Sequence, residues 1–440
     1  MPASPRVLPG EAHGPAAAIT RRASDRLRAG HLWVYRSDIE SLTPHQGETG
    51  IPPGALISVT DNRGIPLGSG LYSGASQIAI RMVGAEAGLT REAYLSSVRE
   101  RLVTALALRK EIAPITVTDN ACRLVFSEAD GLPGIVADRY NDLMILQLLT
   151  QGTSQPDLRA LLSETIRHQL GDSITTIVER PDPKIRELEE LEPAPTEPLY
   201  NAGMSAGLGV GRGAGVSAAE PNLTTVFTIN GLQLHYDASA GQKTGAFLDQ
   251  RENYAAAQRH ARGTALDICT YQGGFALHMA RSCDRVTGVD ASRAALEVAD
   301  RNLALNQARN GGLRAQVDWI EADAFELLRE YEATRERFDT IVLDPPAFAK
   351  SKRAVEGALR GYKEMNLRAI KMLAPGGMLV TCSCSHHVGR EEFVGVVASA
   401  ASDARRRVQV LEVRGAAPDH PEILTLPETA YLKCLICRVD

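Results

Sequence analysis

From Thr264 onward the sequence alternates short apolar, β-branched runs with stretches of helical periodicity, and few folds accommodate that rhythm. Strands are predicted over 264–268, 285–289, 317–321, 340–344, 378–384, 408–413 and 432–439. Helical patterns fill the gaps between the first six. The last gap has none, so the final strand is expected to join by a hairpin. Parallel strands need crossover connections, and repeated crossovers place helices on both faces of the sheet. The expected result is a doubly wound, Rossmann-like α/β sheet of seven strands. Such sheets bind ligands outside the carboxyl ends of their strands.

Each of the first five strands ends in something polar. The first carries Asp267 and then Gly273-Gly274, a turn that lets backbone approach a ligand closely. The second ends in Asp290, 23 residues after Asp267, where an acid can accept both hydroxyls of a ribose. The third ends in Glu321-Ala-Asp323-Ala-Phe325, and Asp323 can accept the exocyclic amine of an adenine. The fourth ends in Asp344-Pro-Pro-Ala-Phe348 and the fifth in Thr381-Cys-Ser-Cys384-Ser. Taken singly, each carboxylate reads as a helix cap, the part Ser292 is predicted to play after Asp290. Four at successive strand ends along one edge call for a ligand. Tyr271-Gln-Gly-Gly-Phe lacks the Gly-x-Gly-x-x-Gly of a nicotinamide site, and no second glycine cluster waits for a pyrophosphate. Gly241-Gln-Lys-Thr-Gly lacks the spacing of an ATP phosphate loop. A cationic adenosine derivative without phosphates fits, and S-adenosylmethionine is such a molecule.

The chain of 440 residues is long enough for several domains, and its net charge of −5 confines nucleic-acid contacts to local basic patches. One such patch is Arg21-Arg22-Ala-Ser-Asp-Arg26 through Trp33-Val-Tyr35, where cations interleave with rings. Its alternative is an arginine-flanked helix leading into a strand whose Trp33 and Tyr35 are core. Alternating runs and glycine turns between 55 and 83 predict a small β-barrel. A helix near 90–111, strands at 122–126, 132–138, 143–149 and 175–179, and a helix at 154–170 predict an α+β unit. Asn230-Gly231 between alternating runs predicts a hairpin. The expected division is a disordered tail (1–19), the barrel (20–88), the α+β domain (89–190), a flexible Gly/Pro-rich insertion (191–222) and the catalytic domain (223–440). The stretch 181–222 as a whole is expected to lack packed structure. Seven cysteines without a disulfide pattern suggest a reducing cytoplasm. Cys434-x-x-Cys437 has no partner pair and reads as a buried terminal strand, so no metal is expected. No apolar run approaches the length that spans a bilayer. Whether the chain is a monomer or a homodimer stays open.

The Asp344-Pro-Pro-x-Phe loop resembles the class I methyltransferases that act on nucleic-acid bases. The longer set is similar to the large-subunit (23S) ribosomal RNA cytosine-C5 methyltransferases. It comprises Gly241-Gln-Lys-Thr-Gly, Asp249-Gln-Arg251, Asp344-Pro-Pro-Ala-Phe-Ala-Lys350-Ser-Lys352, Cys382-Ser-Cys384-Ser-His-His387, Asp419-His-Pro421 and Tyr431-Leu-Lys433. Arg123 through Tyr140 resembles that family's middle domain and Arg21 through Val83 its PUA domain. The resemblance implies cofactor contacts at Phe247, Asp267, Tyr271, Gly273, Gly274, Asp290, Ala291, Asp323, Ala324 and Asp344. RNA contacts are implied at Arg21, Arg22, Arg26, Trp33, Lys243, Lys350 and Lys352, with large-subunit ribosomal RNA as partner. The link 181–222 is longer than the family's usual one.

The resemblance implies a covalent mechanism, because C5 of cytosine becomes nucleophilic only after a thiolate adds to C6. The nucleophile of RNA cytosine-C5 enzymes lies seven residues after a Gly-Gly pair, and counting from Gly377 reaches Cys384. Cys382 is the alternative thiol and is expected on the same strand face. Asp344 would hold the N3/N4 edge of the base, and His386 is a guess for the group that takes the C5 proton. Three other readings remain: an RNA guanine-N2 methyltransferase with the same loop, a small-molecule methyltransferase, and an RNA chaperone that retains cofactor.

Overall fold

In the computed structural model the C-terminal block forms one seven-stranded sheet. The strands are β1 (Thr264–Ile268), β2 (Arg285–Asp290), β3 (Gln316–Glu321), β4 (Phe338–Leu343), β5 (Leu373–Ser383), β6 (Val408–Arg414) and β7 (Lys433–Val439). Their order is β3-β2-β1-β4-β5-β7-β6, parallel except that β7 runs antiparallel to both neighbours. Order reverses between β1 and β4, which opens a crevice at their carboxyl ends. The structure describes residues 6–7, 14–180, 182–205, 222–239, 246–309, 312–349 and 351–440. Lys243 and Lys350, the loop 241–245 and much of the Gly/Pro insertion lie outside them.

β1 is Thr-Ala-Leu-Asp-Ile with every residue after Thr264 buried, as a strand covered on both faces must be. Helices Val355–Met372 and Arg390–Ala404 cover one face, where Ile341, Leu379, Tyr362, Met365 and Phe393 are among the members of one core. Cys434 and Cys437 are buried in β7, as expected of a terminal strand.

The N-terminal barrel is a seven-stranded sheet in the order Arg6–Val7, Ile39–Thr43, Ala16–Ile19, Leu56–Asp61, Pro66–Tyr72, Ile78–Gly84 and Trp33–Tyr35. This corrects the expected tail. Ala16–Ile19 pairs on both sides, with Ala17 and Ile19 fully buried. Alanine has little β-propensity, so burial between two strands decides the matter where composition suggested disorder.

The middle domain is a five-stranded sheet ordered Tyr200–Asn201, Thr176–Glu179, Leu143–Leu148, Ile135–Tyr140 and Ala121–Phe126, backed by helices Arg91–Ile112 and Pro156–Leu170. The stretch 181–222 is corrected in part. Helix Pro183–Glu189 starts with proline at its first position and Asp182 capping Lys184 and Ile185. Glu189 is then buried against the barrel, accepting from Ser73 Oγ at 2.7 Å and Arg81 Nη1 at 3.2 Å.

The hairpin Thr224–Ile229/Leu232–Asp237 turns at Asn230-Gly231 with φ of 50° and 76°, the left-handed pair a two-residue turn of this type requires. Phe227, Ile229, Leu232 and Leu234 wedge between Tyr140 and Ile145 of the middle sheet and Leu277 and Leu303 of the catalytic domain, in one shared core. Arg109 Nη2 and Arg123 N–H donate across the junction to Asp419 O and Oδ2 at 3.0 and 2.9 Å, and ion pairs within each domain hold these groups in place. Arg109 grips Asp130 at 2.5 and 2.8 Å, Arg123 grips Asp138 at 2.8 Å twice, and Arg251 lies 3.6 Å from Asp419.

Candidate active site

The site is built on the turn after β1. Cys269, Tyr271 and Gly273 all take positive φ (65°, 52° and 85°), and the first two are side chains that rarely adopt it. Such strain persists only where neighbours enforce it. Here Thr270 N–H donates to Val289 O at 2.9 Å, and Tyr271 N–H donates to Asp290 Oδ2 at 2.9 Å. Asp267 ties the base of the turn. Its Oδ2 accepts from Thr270 Oγ1 at 2.5 Å and from Ala276 N–H at 2.9 Å, while its buried Oδ1 has no partner. Burial raises its pKa to about 7, with the Asp290 charge adding and the two hydrogen bonds opposing.

The paired glycines serve packing as much as ligand approach. A Cβ on Gly274 would sit 2.6 Å from the Tyr254 ring and hydroxyl, and one on Gly273 would meet Trp319 at 2.9 Å. Gly288 lies under the same indole, 2.4 Å from a would-be Cβ. Trp319 and Tyr254 therefore set the height of the turn, and neither was singled out in the sequence.

Asp290 divides its oxygens between Tyr271 N–H and Ser292 N–H, and Ser292 caps the next helix as expected. Asp323 is exposed and is itself a helix cap, its Oδ1 accepting from Phe325 and Glu326 N–H at 2.9 and 3.0 Å. Ala291 and Ala324 follow these acids along the same edge. Phe247, 41% exposed, meets Tyr271 edge-on at 5.1 Å. A cleft joins Phe247, Tyr254, Cys269, Thr270, Tyr271, Gly274 and Asp344, so four of the expected cofactor residues share one cavity wall. The orphaned Asp267 oxygen beside it suits an ammonium group, and the edge-on rings suit the flat body of a nucleoside.

Asp344 leaves β4 at the reversal point. Gln250 Nε2 donates to its Oδ1 at 3.0 Å, and Asn253 Nδ2 fixes Gln250 Oε1 at 2.7 Å. Burial, then the charges of Asp249 and Asp267, push the Asp344 carboxyl up to about 8. The loop beyond is anchored where Ala349 N–H donates to Ser385 Oγ at 3.2 Å and Phe348 packs 4.7 Å from Tyr362.

The two cysteines expected on one face occupy different environments. Cys382 is fully buried in register with Cys434, and burial drives its pKa well above a thiol's ordinary value. Cys384 lies just past the end of β5, half-buried, with its thiol 3.8 Å from Pro345 O of the Asp-Pro-Pro loop. His386 stacks on Tyr431 at 5.3 Å, and Tyr431 donates to Asp249. Asp249, Gln250, Tyr431 and Lys433 were present in the quoted motifs without roles. No local signal marks Gln250, which lies 94 residues from the carboxylate it holds.

The predicted RNA residues scatter. Arg21 and Arg22 are exposed and, with Arg26, line one surface depression. Arg26 is engaged by Asp38 at 2.5 Å. Trp33 sends its indole N–H to Glu128 of the middle domain at 2.8 Å and is half-buried, while Val34 between it and Tyr35 is the core residue of that strand, which corrects the core alternative. Lys352 is exposed at the start of the turn before helix Val355–Met372. The barrel nevertheless reaches the site. His31 lies 3.8 Å from Glu428, whose carbonyl is 3.3 Å from His386 Nδ1. Among the described residues no cluster of three or more His, Cys, Asp or Glu could hold a metal, and no helix is long and apolar enough to cross a membrane.

A sheet reversed between β1 and β4, an orphaned acid under a strained turn and an Asp-Pro-Pro loop define an S-adenosylmethionine-dependent methyltransferase. The family model of that description matches residues 150–438, and a PUA-like domain matches 18–84. Ribosomal RNA large subunit methyltransferase I of Erwinia tasmaniensis is 36% identical over 93% of this chain and 95% of its own. Its namesakes from Klebsiella pneumoniae strain 342 and Photobacterium profundum are each 35% identical, over 97% and 94% of this chain and 98% and 96% of theirs. The chain belongs to this family of S-adenosylmethionine-dependent methyltransferases, and S-adenosylmethionine is its cofactor. The solved structure of SMU.776 in complex with SAH superposes with a TM-score of 0.75 at 14% identity, over 96% of this chain and 99% of that one. The likeness extends to all three domains of the fold.

Proposed function

We propose that the protein methylates C5 of a cytosine in large-subunit ribosomal RNA, in the cytoplasm, through a transient bond between Cys384 and C6. The observation that carries this reading is the Cys384 thiol resting on Pro345 of the Asp-Pro-Pro loop, one residue along the chain from Asp344, whose pKa burial raises. The names of the relatives and the barrel seated beside the site support ribosomal RNA as substrate. Asp267 would meet the cofactor's ammonium, Asp290 its ribose and Asp323 its adenine amine, with Phe247, Tyr271, Gly273, Gly274, Ala291 and Ala324 shaping the groove. Arg21, Arg22 and Lys352 would take phosphates.

When bound, S-adenosylmethionine supplies an electrophilic methyl group. The Cys384 thiolate forms the S–C6 bond and displaces the C5=C6 electron pair toward C5 and N3. Asp344 would donate a proton to N3 as charge gathers there and take it back when elimination restores the ring. After C5 is methylated and gives its proton to a base, the S–C6 bond breaks. Its electrons do not stay on carbon: they return to sulfur as the C5–H pair restores the double bond. Cys382, sealed in the core, has no path to the base.

The test uses RNA from cells lacking the enzyme, with tritiated cofactor, and maps the product. Wild type should place the methyl on cytosine C5 and form a gel-stable adduct with 5-fluorocytosine RNA. Cys384→Ala should lose both. Methylated guanine N2, with Cys384→Ala still active, would sink the reading in favour of the guanine alternative.

A further inference from the structure

The Asp344 side chain meets its neighbours through one oxygen. Gln250 Nε2 donates to Oδ1 at 3.0 Å, and among the described residues no hydrogen bond engages Oδ2, while Asp344 lines the cleft. The direction of an amide hydrogen bond is set by what the other end of the amide meets. Behind Gln250 stands Asn253, fully buried in the first turn of the helix Arg251–His260. Arg414 Nε, at the end of β6, donates to Asn253 Oδ1 at 2.9 Å, and a guanidinium has nothing to accept with. Asn253 Nδ2 donates to Gly415 O at 3.0 Å, and a carbonyl has nothing to donate. Two neighbours therefore fix the same orientation independently. The second Nδ2 hydrogen goes to Gln250 Oε1 at 2.7 Å, so Gln250, itself buried, has only its NH2 left for Asp344. The chain starts from an ion pair, because Glu412 holds Arg414 Nη1 at 2.7 Å.

We infer that Asn253 is a positioning residue that decides which oxygen of Asp344 serves the RNA base: it locks Gln250 as a donor to Oδ1, so the acid proton of Asp344 is left to Oδ2. The inference rests on the reading of Asp344 as the proton donor to cytosine N3. In that step the Oδ2–H bond breaks with its electrons left on Oδ2, and an N3–H bond forms. The proton returns to Oδ2 on elimination. With Gln250 turned over, its Oε1 would face Oδ1 and draw the acid proton there, leaving Oδ2 an acceptor with nothing to give. Asn253 and Arg414 touch neither the cofactor residues nor the cysteines in this scheme. They act through Gln250 alone, across 161 residues of chain between them.

The experiment measures kcat and KM of the full-length protein on ribosomal RNA in a double-mutant cycle. Asn253→Asp keeps an acceptor for Arg414 but presents an oxygen where Nδ2 stood, so Gln250 turns its NH2 toward it. The new bond is charge-assisted, and kcat should fall about tenfold or more, with KM for RNA and for cofactor within about threefold of wild type. Gln250→Met has no amide to turn, and in that background Asn253→Asp should change kcat by less than about twofold. Equal losses in the two backgrounds would overturn the inference, as would a loss confined to KM. If Asn253→Asp does not fold, judged by its thermal melt, Asn253→Ala decides. It only frees Gln250 to turn, so kcat should drop about two- to fivefold, and the drop should vanish with Gln250→Met. Full activity of Asn253→Ala, or the same drop in both backgrounds, overturns the inference. Mapping the product of the same reactions separates the two readings. Equal losses with the methyl on cytosine C5 strike the positioning role alone, whereas a methylated guanine strikes the cytosine reading and the donation to N3 with it.

Discussion

Asp419 at the domain junction and Asp267 and Asp344 at the active site are the same residue type withdrawn from water, and they behave oppositely. At the junction Asp130, Asp138 and Asp419 each lie against an arginine. Burial pushes Asp419 up, but the hydrogen bond from His420 and the nearby cations outweigh it and bring the carboxyl to about 2. At the site Asp267 and Asp344 have hydroxyl, amide and backbone donors but, among the described residues, no cation in ion-pair contact, and burial takes them to about 7 and about 8. A paired buried acid is architecture, because its counter-charge is part of the fold. An unpaired one is held in reserve for a ligand or a proton, at a cost in stability.

The strongest way to break this contrast is Asp344→Ala. Transfer should fall about 10²–10⁴-fold, measured by tritium incorporation at saturating cofactor. A loss of only a few fold would deprive the unpaired acid of its function. On the junction side, Arg123→Ala strands Asp138 and should cost about 3–5 kcal/mol in urea unfolding, whereas Arg123→Met with Asp138→Leu should recover most of it. Equal losses in the two proteins would mean the charges are not the issue.

Asp267→Asn sharpens the cost. The folded protein holds protons on Asp267 that the unfolded chain has released between about pH 4 and pH 7, so wild type loses stability as pH rises through that window. The amide keeps an acceptor for Thr270 and Ala276 but cannot ionise. The variant should be more stable on the order of 2–4 kcal/mol at pH 8, converge with wild type below about pH 4, and bind cofactor at least about tenfold more weakly. Parallel melting curves across pH would contradict the assignment. The smallest effect is expected from Trp33→Phe, which removes the indole bond to Glu128 at about 1 kcal/mol. RNA affinity should change less than about twofold, whereas a stacking ring would lose about 1–3 kcal/mol of binding.

Much of the catalytic fold was legible because its signals are local. The seven strands fall within a few residues of their predicted positions, the Asn-Gly hairpin is present, and Ser292 caps where expected. The misses share a cause. Ala16–Ile19 is a strand, and Pro183–Glu189 a packed helix, because of what covers them, which composition does not record. Gly274 is glycine because Tyr254 leaves no room for a Cβ, a contact made across 20 residues of chain. Gln250 carries no spacing relative to the carboxylate it holds.

Periodicity, strand-end acids and the Asp-Pro-Pro loop are properties of short stretches, so the sequence by itself determined the sheet, its carboxyl edge and the cofactor class. Protonation and reactivity are not local quantities. Whether Asp344 keeps a proton depends on burial and on Asp249 and Gln250, far away in the chain. Which of two cysteines two residues apart is accessible depends on Cys434 packing against one and Pro345 receiving the other. Only the tertiary structure could decide them, because desolvation and charge pairing are set by neighbours in space.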